Sequence, residues 1–247
     1  TAVSVPTNSN TDFNITFTAG TEENPADFNI KACTDSDCNT GCIDPTTTTS
    51  SPGTILAAAL TNGSTYYGCV QAVDDVAHTS AFVASSGQVL YDTTSPSGTI
   101  ALTASHAGYS DTRSPAITLT KDSDVTDYQL CSDTAEAGSN CSGVLRAWEA
   151  YTANPAAYNF GADGSTSIYV QFKDATGNIG ATVESNTLII DTIDPAVATA
   201  VSVPTNSNTD FNITFDAGTE ANPADFNIKA CTDSDCNTGC IDPTTTT

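Results

Sequence analysis

The sequence has few basic residues and no methionine. Only 6 Lys and Arg residues stand against 29 Asp and Glu residues, which gives a formal net charge of −23 at pH 7. The negative electrostatic potential of such a chain repels nucleic acid and anionic lipid head groups, so we expect neither as a partner. Divalent cations are the natural counter-ions. The sequence also has no charged-then-apolar signal segment and no apolar run near the roughly 18 residues of a membrane span. Since the sequence also has no initiator methionine, we expect a window from a longer chain, and we expect no membrane insertion by this window.

Motifs for catalysis are also missing. His78 and His106 are the only histidines, and each falls in a loop of a different predicted domain. A nucleophile activated by a neighbouring base is therefore not expected. The sequence contains no P-loop, dinucleotide-binding fingerprint or H-E-x-x-H motif. These absences predict a non-enzymatic protein.

A long internal repeat organises the chain. Residues 199–247 repeat residues 1–49 and differ only where Thr18 becomes Asp216 and Glu23 becomes Ala221. The period exceeds the roughly 20 to 50 residues of a solenoid unit and suits a string of whole domains. Within that period, VQAVD at 70–74 aligns with VQFKD at 170–174, which indicates two related domains. We predict domains at residues 1–96 and 97–195 and a truncated repeat of the first at 196–247.

Short β-rich runs alternate with turn residues, and no segment has a sustained helical period. The predicted strands of the first domain lie near AVSVP, FNITFT, DFNIKAC, TILAAAL, YYGCVQAVD and SSGQVLYD. Those of the second lie near GTIALTA, AITLT, DYQLCS, LRAWEA, AYNF, SIYVQFKD and TVESNTLIID. About seven short strands per domain are typical of a sandwich. The predicted fold class is all-β, with tandem immunoglobulin-like β-sandwich domains of about 100 residues, stapled by disulfides and arranged as beads on a string.

Nine cysteines without a C-x-x-C pattern indicate disulfides and an oxidising, extracellular or cell-surface location. Cys131 and Cys141 have no rival in their domain and are predicted to pair. Two pairings stay open for the other four: Cys33–Cys42 with Cys38–Cys69, or Cys33–Cys38 with Cys42–Cys69. Strand alternation places Cys33 and Cys69 on the outer face of their sheet, which predicts staples on the surface.

The domains end in YDTTSP and IIDTIDP, and the second contains KDATGNIG between its last strands. These motifs resemble the bacterial immunoglobulin-like and fibronectin-like repeats of large secreted adhesins and cell-surface fibres. The resemblance implies a structural region of an extended extracellular filament or adhesin stalk. Its partners would be neighbouring repeats or identical subunits. It also implies calcium at the domain junctions, which here carry Asp92, Asp191 and Asp194.

The loops predicted beside the first junction are rich in oxygen ligands. In a sandwich of this topology, the linker that begins at Asp92 arrives among the loops KDSDVTD and DATGN. Calcium takes roughly six to eight oxygen ligands. The full predicted set for both junctions is Asp92, Asp122, Asp124, Asp174, Asn178, Asp191, Asp194 and Asp216, with Glu220 beside Asp216. The alternative is that these residues only form Asx turns and caps. The corresponding turn of the first domain, DDVAH, departs from the motif because it lacks Gly-Asn.

A second function is compatible with the same fold. The loop AWEAYTANPAAY could dock a carbohydrate or a host receptor through Trp148, Tyr151 and Tyr158. Exposed aromatic side chains would favour this binding module, and burial of Trp148 in the core would favour the stalk. Glycans are further expected partners, on the 46–51 threonine and serine run or on Asn-x-Ser/Thr sequons, although a solvated loop is the simpler interpretation of that run.

Overall fold

A computed structural model of the chain describes residues 2–20, 25–206, 210–216, 226–241 and 244–246. These residues form β-strands and turns, with one 3₁₀ helix at Ala57–Ala59. Within these ranges, the structure offers no helix with the length and hydrophobicity needed for a bilayer crossing. The chain divides into two compact units, Thr1–Asp191 and Thr192–Thr247. The first unit has two separate hydrophobic cores, so it comprises two sandwiches.

The first sandwich contains eight strands. They are β1 (Val3–Ser4), β2 (Asn8–Ser9), β3 (Phe13–Phe17), β4 (Pro25–Cys33), β5 (Thr46–Thr48), β6 (Gly53–Ile55), β7 (Ser64–Asp74) and β8 (Val83–Tyr91). A three-stranded sheet of order β1-β3-β6 faces a five-stranded sheet of order β2-β8-β7-β4-β5. Along β3, Phe13, Ile15 and Phe17 are buried while Asn14 and Thr16 are exposed. This period of two places one face of the strand in the core, as the sequence pattern predicts.

The second sandwich repeats this plan in nine strands. They are β9 (Gly98–Leu102), β10 (Tyr109–Ser110), β11 (Ile117–Lys121), β12 (Val125–Cys131), β13 (Val144–Ala150), β14 (Gly164–Thr166), β15 (Tyr169–Asp174), β16 (Val183–Glu184) and β17 (Leu188–Ile190). The central sheet has the order β13-β12-β15-β16, and the other strands pair as β11-β9 and β10-β17-β14. Tyr128, Phe172 and Leu188 are fully buried between them.

Each sandwich pairs a short early strand in parallel with its last strand. In the first, β2 lies beside β8 with Asn8 opposite Leu90. In the second, β10 lies beside β17 with Tyr109 opposite Ile189. The remaining strand pairs in both sandwiches are antiparallel, as is usual where neighbouring strands are joined by short turns.

The second unit contains β18 (Thr199–Ser202), β19 (Thr214–Asp216), β20 (Phe226–Ile228) and β21 (Thr244–Thr246). Strand β18 pairs with β19 and β20 pairs with β21, both antiparallel. Glu220 and Ala221 lie outside the described residues. The domain boundaries at 96/97 and 195/196 stay predictions.

Three predicted strands differ from the structure. TVESNTLIID, predicted as one strand, forms two strands in different sheets: β16 pairs with β15, whereas β17 pairs with β10 and β14. In TILAAAL, only the start is a strand, because β6 ends at Ile55 and Ala57–Ala59 form the 3₁₀ helix. Three consecutive alanines supply little β propensity, which favours this early end. The AYNF segment is not a strand; Phe160 instead donates its N–H to Arg113 O, and its ring packs edge-on against Tyr158.

The three disulfides of the two sandwiches lie on the outer faces of their sheets, and a fourth lies in the second unit. These bonds join Cys33 to Cys42, Cys38 to Cys69, Cys131 to Cys141, and Cys231 to Cys240. The first of the two open pairings is therefore the one present. The predicted surface exposure is wrong, because Cys33, Cys38 and Cys69 are at most 1% exposed. The loop that follows Cys33 folds back over the sheet, and Phe82 packs beside the sulfurs to form a small second core.

Candidate functional site

The turn between β15 and β16 forms one side of the candidate site. Asp174 is buried, and its Oδ1 accepts hydrogen bonds from the backbone N–H groups of Thr176 and Asn178 at 2.8 and 2.9 Å. Gly177 has a φ of +92°, which glycine adopts without steric cost. The D-x-T-G-N sequence thus folds as an Asx turn that fixes the direction of the Asn178 side chain.

Asn178 connects the two sandwiches. Its Nδ2 donates to the backbone oxygen of Asp92 in the linker at 2.8 Å. Its Oδ1 accepts from Nδ2 of Asn10, which belongs to the first sandwich, at 3.0 Å. Asn178 Nδ2 also lies 2.9 Å from Asp174 Oδ2 and 2.8 Å from Thr176 Oγ1, so three oxygens surround this nitrogen. One partly buried amide therefore holds the turn, the linker and the first sandwich together.

Three carboxylates meet beside this amide. Asp92, Asp124 and Asp174 each offer an oxygen within 4.8 Å of the others. Oδ1 of Asp124 is buried and has no hydrogen-bond partner within the described part of the chain. Three negative charges at this spacing repel one another unless a cation lies among them. The donor set is all oxygen, which is the chemistry that calcium prefers.

Further contacts hold the linker after Asp92. Asn62 accepts the N–H of Thr93 at 2.7 Å and donates to Thr94 Oγ1 at 2.8 Å. Asp122 accepts the hydroxyl of Ser97 and donates its own N–H to Ser97 O, so Asp122 caps the linker and is not part of the carboxylate cluster.

Backbone proximity also fixes the linker. Gly180 lies so close to the carbonyl oxygen of Pro96 that a Cβ at this position would collide with it. The turn after β15 therefore requires a residue without a side chain at 180.

The other predicted ligands lie elsewhere. Asp191 is the last residue of the first unit and donates its N–H to Ser110 O. Asp194 and Asp216 belong to the second unit, where Asp216 is opposite Thr199 in the β18–β19 pair. The metal site predicted at the second junction stays a prediction, and Glu220 lies outside the described ranges.

The first sandwich has the same turn with different side chains. Asp74 Oδ1 accepts the N–H groups of Val76 and His78, and Ala77 takes the positive φ of 66° where the second sandwich has glycine. The hydrogen bond from the His78 backbone N–H is the main cause that lowers the pKa of Asp74. His78 replaces Asn178, and its ring lies 3.1 Å from Asp74 Oδ2 with a largely exposed side chain. The turn geometry is thus independent of the Gly-Asn motif.

The aromatic residues of the predicted binding loop make contacts within the second sandwich. Trp148 is half-buried on the outer face, where Lys173 Nζ lies 4.7 Å from its ring and Asn140 accepts its indole N–H. Tyr151 and Tyr158 pack against the core, and the Tyr151 hydroxyl donates to Leu119 O. Trp148 therefore fits neither of the two predicted outcomes, since it is neither in the core nor on a free loop.

Sequence reasoning did not identify Asn10 and Asn62. Both occur in polar segments that have the composition of ordinary turns, NSN and TNGS. The role of Asn10 depends on the distance between the end of the first sandwich and the turn at Asn178, and that of Asn62 on the path of the linker at Thr93 and Thr94. The sequence encodes neither locally.

No protein-family model matches the chain, and no curated protein matches it. Solved structures of fibronectin modules are similar to it. The fibronectin(III)-like modules of Clostridium thermocellum CbhA are 14% identical, over 77% of this chain and 92% of that chain, with a TM-score of 0.39. The FN1-FN3 domains of chicken CNTN1 are 14% identical, over 77% of this chain and 67% of that chain, with a TM-score of 0.41. The strand order and the two cores carry the assignment to an all-β, immunoglobulin-like fold.

Proposed function

We propose that the chain is a non-catalytic structural repeat region of an extended extracellular filament or adhesin stalk. The observation that carries this proposal is the junction in which Asn178 bonds the linker at Asp92 and the first sandwich at Asn10. A linker held from both sides transmits orientation from one sandwich to the next. Buried disulfides in both sandwiches support an oxidising location outside the cytosol. The partners would be neighbouring repeats or identical subunits.

We further propose calcium as the ion of this junction. Asp124 Oδ1 is a buried acceptor with no donor among the described residues, and a cation bound by Asp92, Asp124 and Asp174 would satisfy it. In each of Asp92 and Asp174, Oδ1 already caps a turn, so Asx turns and metal binding are compatible here. When bound, the ion would supply the positive charge that holds these carboxylates together. Asn178 then acts mainly as the clamp, because Asn10 occupies its amide oxygen.

Backbone relaxation measured by NMR on the full chain tests the rigid junction. We expect the amides of the two sandwiches to report one rotational correlation time when calcium is present. The Asn178→Ala variant should separate the two values because it removes the contacts to Asp92 and Asn10. A matched control is Asn159→Ala, whose side chain caps Gly161 away from the linker. Independent tumbling of the sandwiches in the unaltered chain would contradict the proposal.

A further inference from the structure

The turn that carries Asn178 continues into residues 178–182, which we call the clamp segment. One side of this segment faces the linker. Asn178 Nδ2 donates to Asp92 O, and the backbone of Gly180 lies directly against Pro96 O. The position of the clamp segment therefore decides whether Asn178 reaches the linker.

A loop that a disulfide closes, residues 131–141, holds the other side of the clamp segment. Gly138 of this disulfide loop donates its N–H to Ile179 O at 2.7 Å. Thr182 donates its N–H to Ala135 O at 3.0 Å, and its Oγ1 accepts the N–H of Ala135 at 2.8 Å. Hydrogen bonds at two places thus join the disulfide loop to the clamp segment.

Gln171 of β15 bonds to both of these elements at once. Its side chain is fully buried, and its Nε2 donates to Ser139 O at 2.6 Å and to Gly180 O at 2.8 Å. Its Oε1 accepts from the N–H of Cys141 at 3.3 Å and from Nε2 of Gln129 at 2.7 Å. A buried carbonyl oxygen that loses its donor costs free energy, so these bonds resist any shift of Ser139 or Gly180. One amide therefore fixes the disulfide loop and the clamp segment relative to each other.

Gln71 has the same position in the first sandwich. Its Nε2 donates to Ser80 O, the counterpart of Gly180 O, at 2.8 Å, and its Oε1 accepts from Asn29 Nδ2 at 3.1 Å. The turn before Ser80 carries His78, whose side chain is largely exposed. The same kind of bond thus occurs beside a turn that carries a different side chain, which supplies a matched control.

We propose that Gln171 is a positioning residue of the junction, which transmits the position of the disulfide loop to the turn of Asn178. This inference rests on the proposed role of Asn178 as the clamp between the sandwiches, and it adds the part of the second sandwich that directs the clamp. While the disulfide loop and Gln171 hold Gly180, the Asn178 amide points at Asp92 O. Without Gln171, Gly180 O and Ser139 O both lose a buried donor, and the clamp segment is free to move away from the linker.

Hydrogen exchange and backbone relaxation, measured by NMR on the full chain with calcium, test this role. Gln171→Met keeps the side-chain length and removes its hydrogen bonds. We expect the Asn178 N–H, which bonds to Asp174 Oδ1, to exchange at least about tenfold faster in this variant. The two sandwiches should then report separate rotational correlation times. Gln71→Met should change neither quantity, and unchanged Asn178 exchange in Gln171→Met would overturn the proposal.

Two further variants separate positioning from stability. Gln129 is also buried and bonds to Gln171, but among the described residues it makes no hydrogen bond to the clamp segment. Gln129→Met should therefore lower the urea midpoint of unfolding and leave Asn178 exchange at the parent rate. Equal acceleration in both glutamine variants would overturn the proposal, because it would show a general loosening of the sandwich.

Removing the disulfide tests the same path without altering Gln171. The double variant Cys131→Ala with Cys141→Ala releases the disulfide loop, so we expect faster exchange at Asn178 here as well. An unchanged rate would overturn the claim that this loop directs the clamp.

The two measurements also distinguish this inference from the proposed function. Separate tumbling of the sandwiches in the unaltered chain would contradict the rigid junction, while Asn178 exchange would still report whether Gln171 holds the turn. A single correlation time in every variant, with unchanged Asn178 exchange, would overturn this inference and leave the rigid junction in place.

Discussion

The Oδ1 atom of Asp124 has no hydrogen-bond partner in the part of the chain that the structure describes. This atom is buried beside two other carboxylates, yet the sequence context of Asp124, KDSDVTD, is that of an ordinary polar turn. A buried acceptor without a donor costs free energy of about 1 to 3 kcal/mol, and a bound cation would remove this cost.

Asp124→Asn should lower calcium affinity at least about tenfold, because it removes one of three anionic ligands at a site that calcium binds through oxygen. Isothermal titration calorimetry on the full chain measures this change. Asp111→Asn, an exposed carboxylate outside the cluster, is the control and should leave the affinity unchanged. Equal loss in both variants would show that calcium responds only to overall charge.

Gly180→Ala should destabilise the second sandwich by about 1 to 3 kcal/mol, because its Cβ would collide with the backbone oxygen of Pro96. Urea unfolding followed by the fluorescence of Trp148, the only tryptophan, reports this sandwich. Gly87→Ala meets nothing within 4 Å and should change stability, measured by circular dichroism, by about 0.5 kcal/mol or less. A Gly180→Ala variant as stable as the parent would mean that the linker can move away.

At the scale of strands and loops, alternation predicted the core well and the outer faces poorly. It placed Phe28, Ile30 and Val70 in the core, where they lie. It also placed Cys69 outside the core correctly, but exposure does not follow, because a loop crosses the outer face and covers it. Strand periodicity describes one sheet and carries no information about a loop that returns over it.

The carboxylate cluster was predictable only in part for a similar reason. The topology of a sandwich places the linker among the loops that hold Asp124 and Asp174, and the structure brings Asp92 to both. Sequence cannot show that Asp122 turns towards Ser97 or that Asn10 reaches Asn178, since both depend on side-chain distances.

The two disulfides with unequal loops should differ in their contribution to stability. The Cys38–Cys69 bond spans 31 residues and the Cys131–Cys141 bond spans 10. Replacing each pair by alanine should therefore cost about 1 kcal/mol more for the longer loop, on the chain-entropy model. Guanidinium unfolding of the two double variants against the parent measures the difference. A larger loss from the shorter loop would show that packing, and not loop entropy, dominates.

Acid should loosen the loop between Cys131 and β13. Asp133 accepts hydrogen bonds from the Ser142 hydroxyl and the Gly143 N–H, and these lower its pKa below the ordinary 3.8. Because the folded pKa is depressed, the stabilisation is present above the unfolded pKa and is lost as the pH falls through the folded one. The Gly143 amide shift, followed by NMR, should titrate with a midpoint below 3.8. Asp133→Asn should abolish this titration; a midpoint above 3.8 would contradict the assignment.

For the whole molecule, the junction decides whether two sandwiches behave as one body. We expect calcium to protect the linker, residues 92–97, from proteolysis, because the ion would hold Asp92 against the second sandwich. Cleavage followed by mass spectrometry, with calcium and with chelator, measures this protection. Magnesium at the same concentration is the control, since it binds such clusters less readily without its water shell. Equal cleavage in all three conditions would contradict a role for calcium at the junction.

The parallel pairing of β2 with β8 determines how the first sandwich responds to tension. When a parallel pair is pulled from the start of one strand and the end of the other, the strands slide along each other, and their hydrogen bonds carry the force simultaneously. The bonds from Leu90 N–H to Thr7 O and from Asp92 N–H to Ser9 O cross between the two strands, so sliding of the strands loads both together. In a hairpin pulled at its open end, the bonds would break one after another. We therefore expect the short β2–β8 pair to contribute resistance when the first sandwich is stretched along these strands.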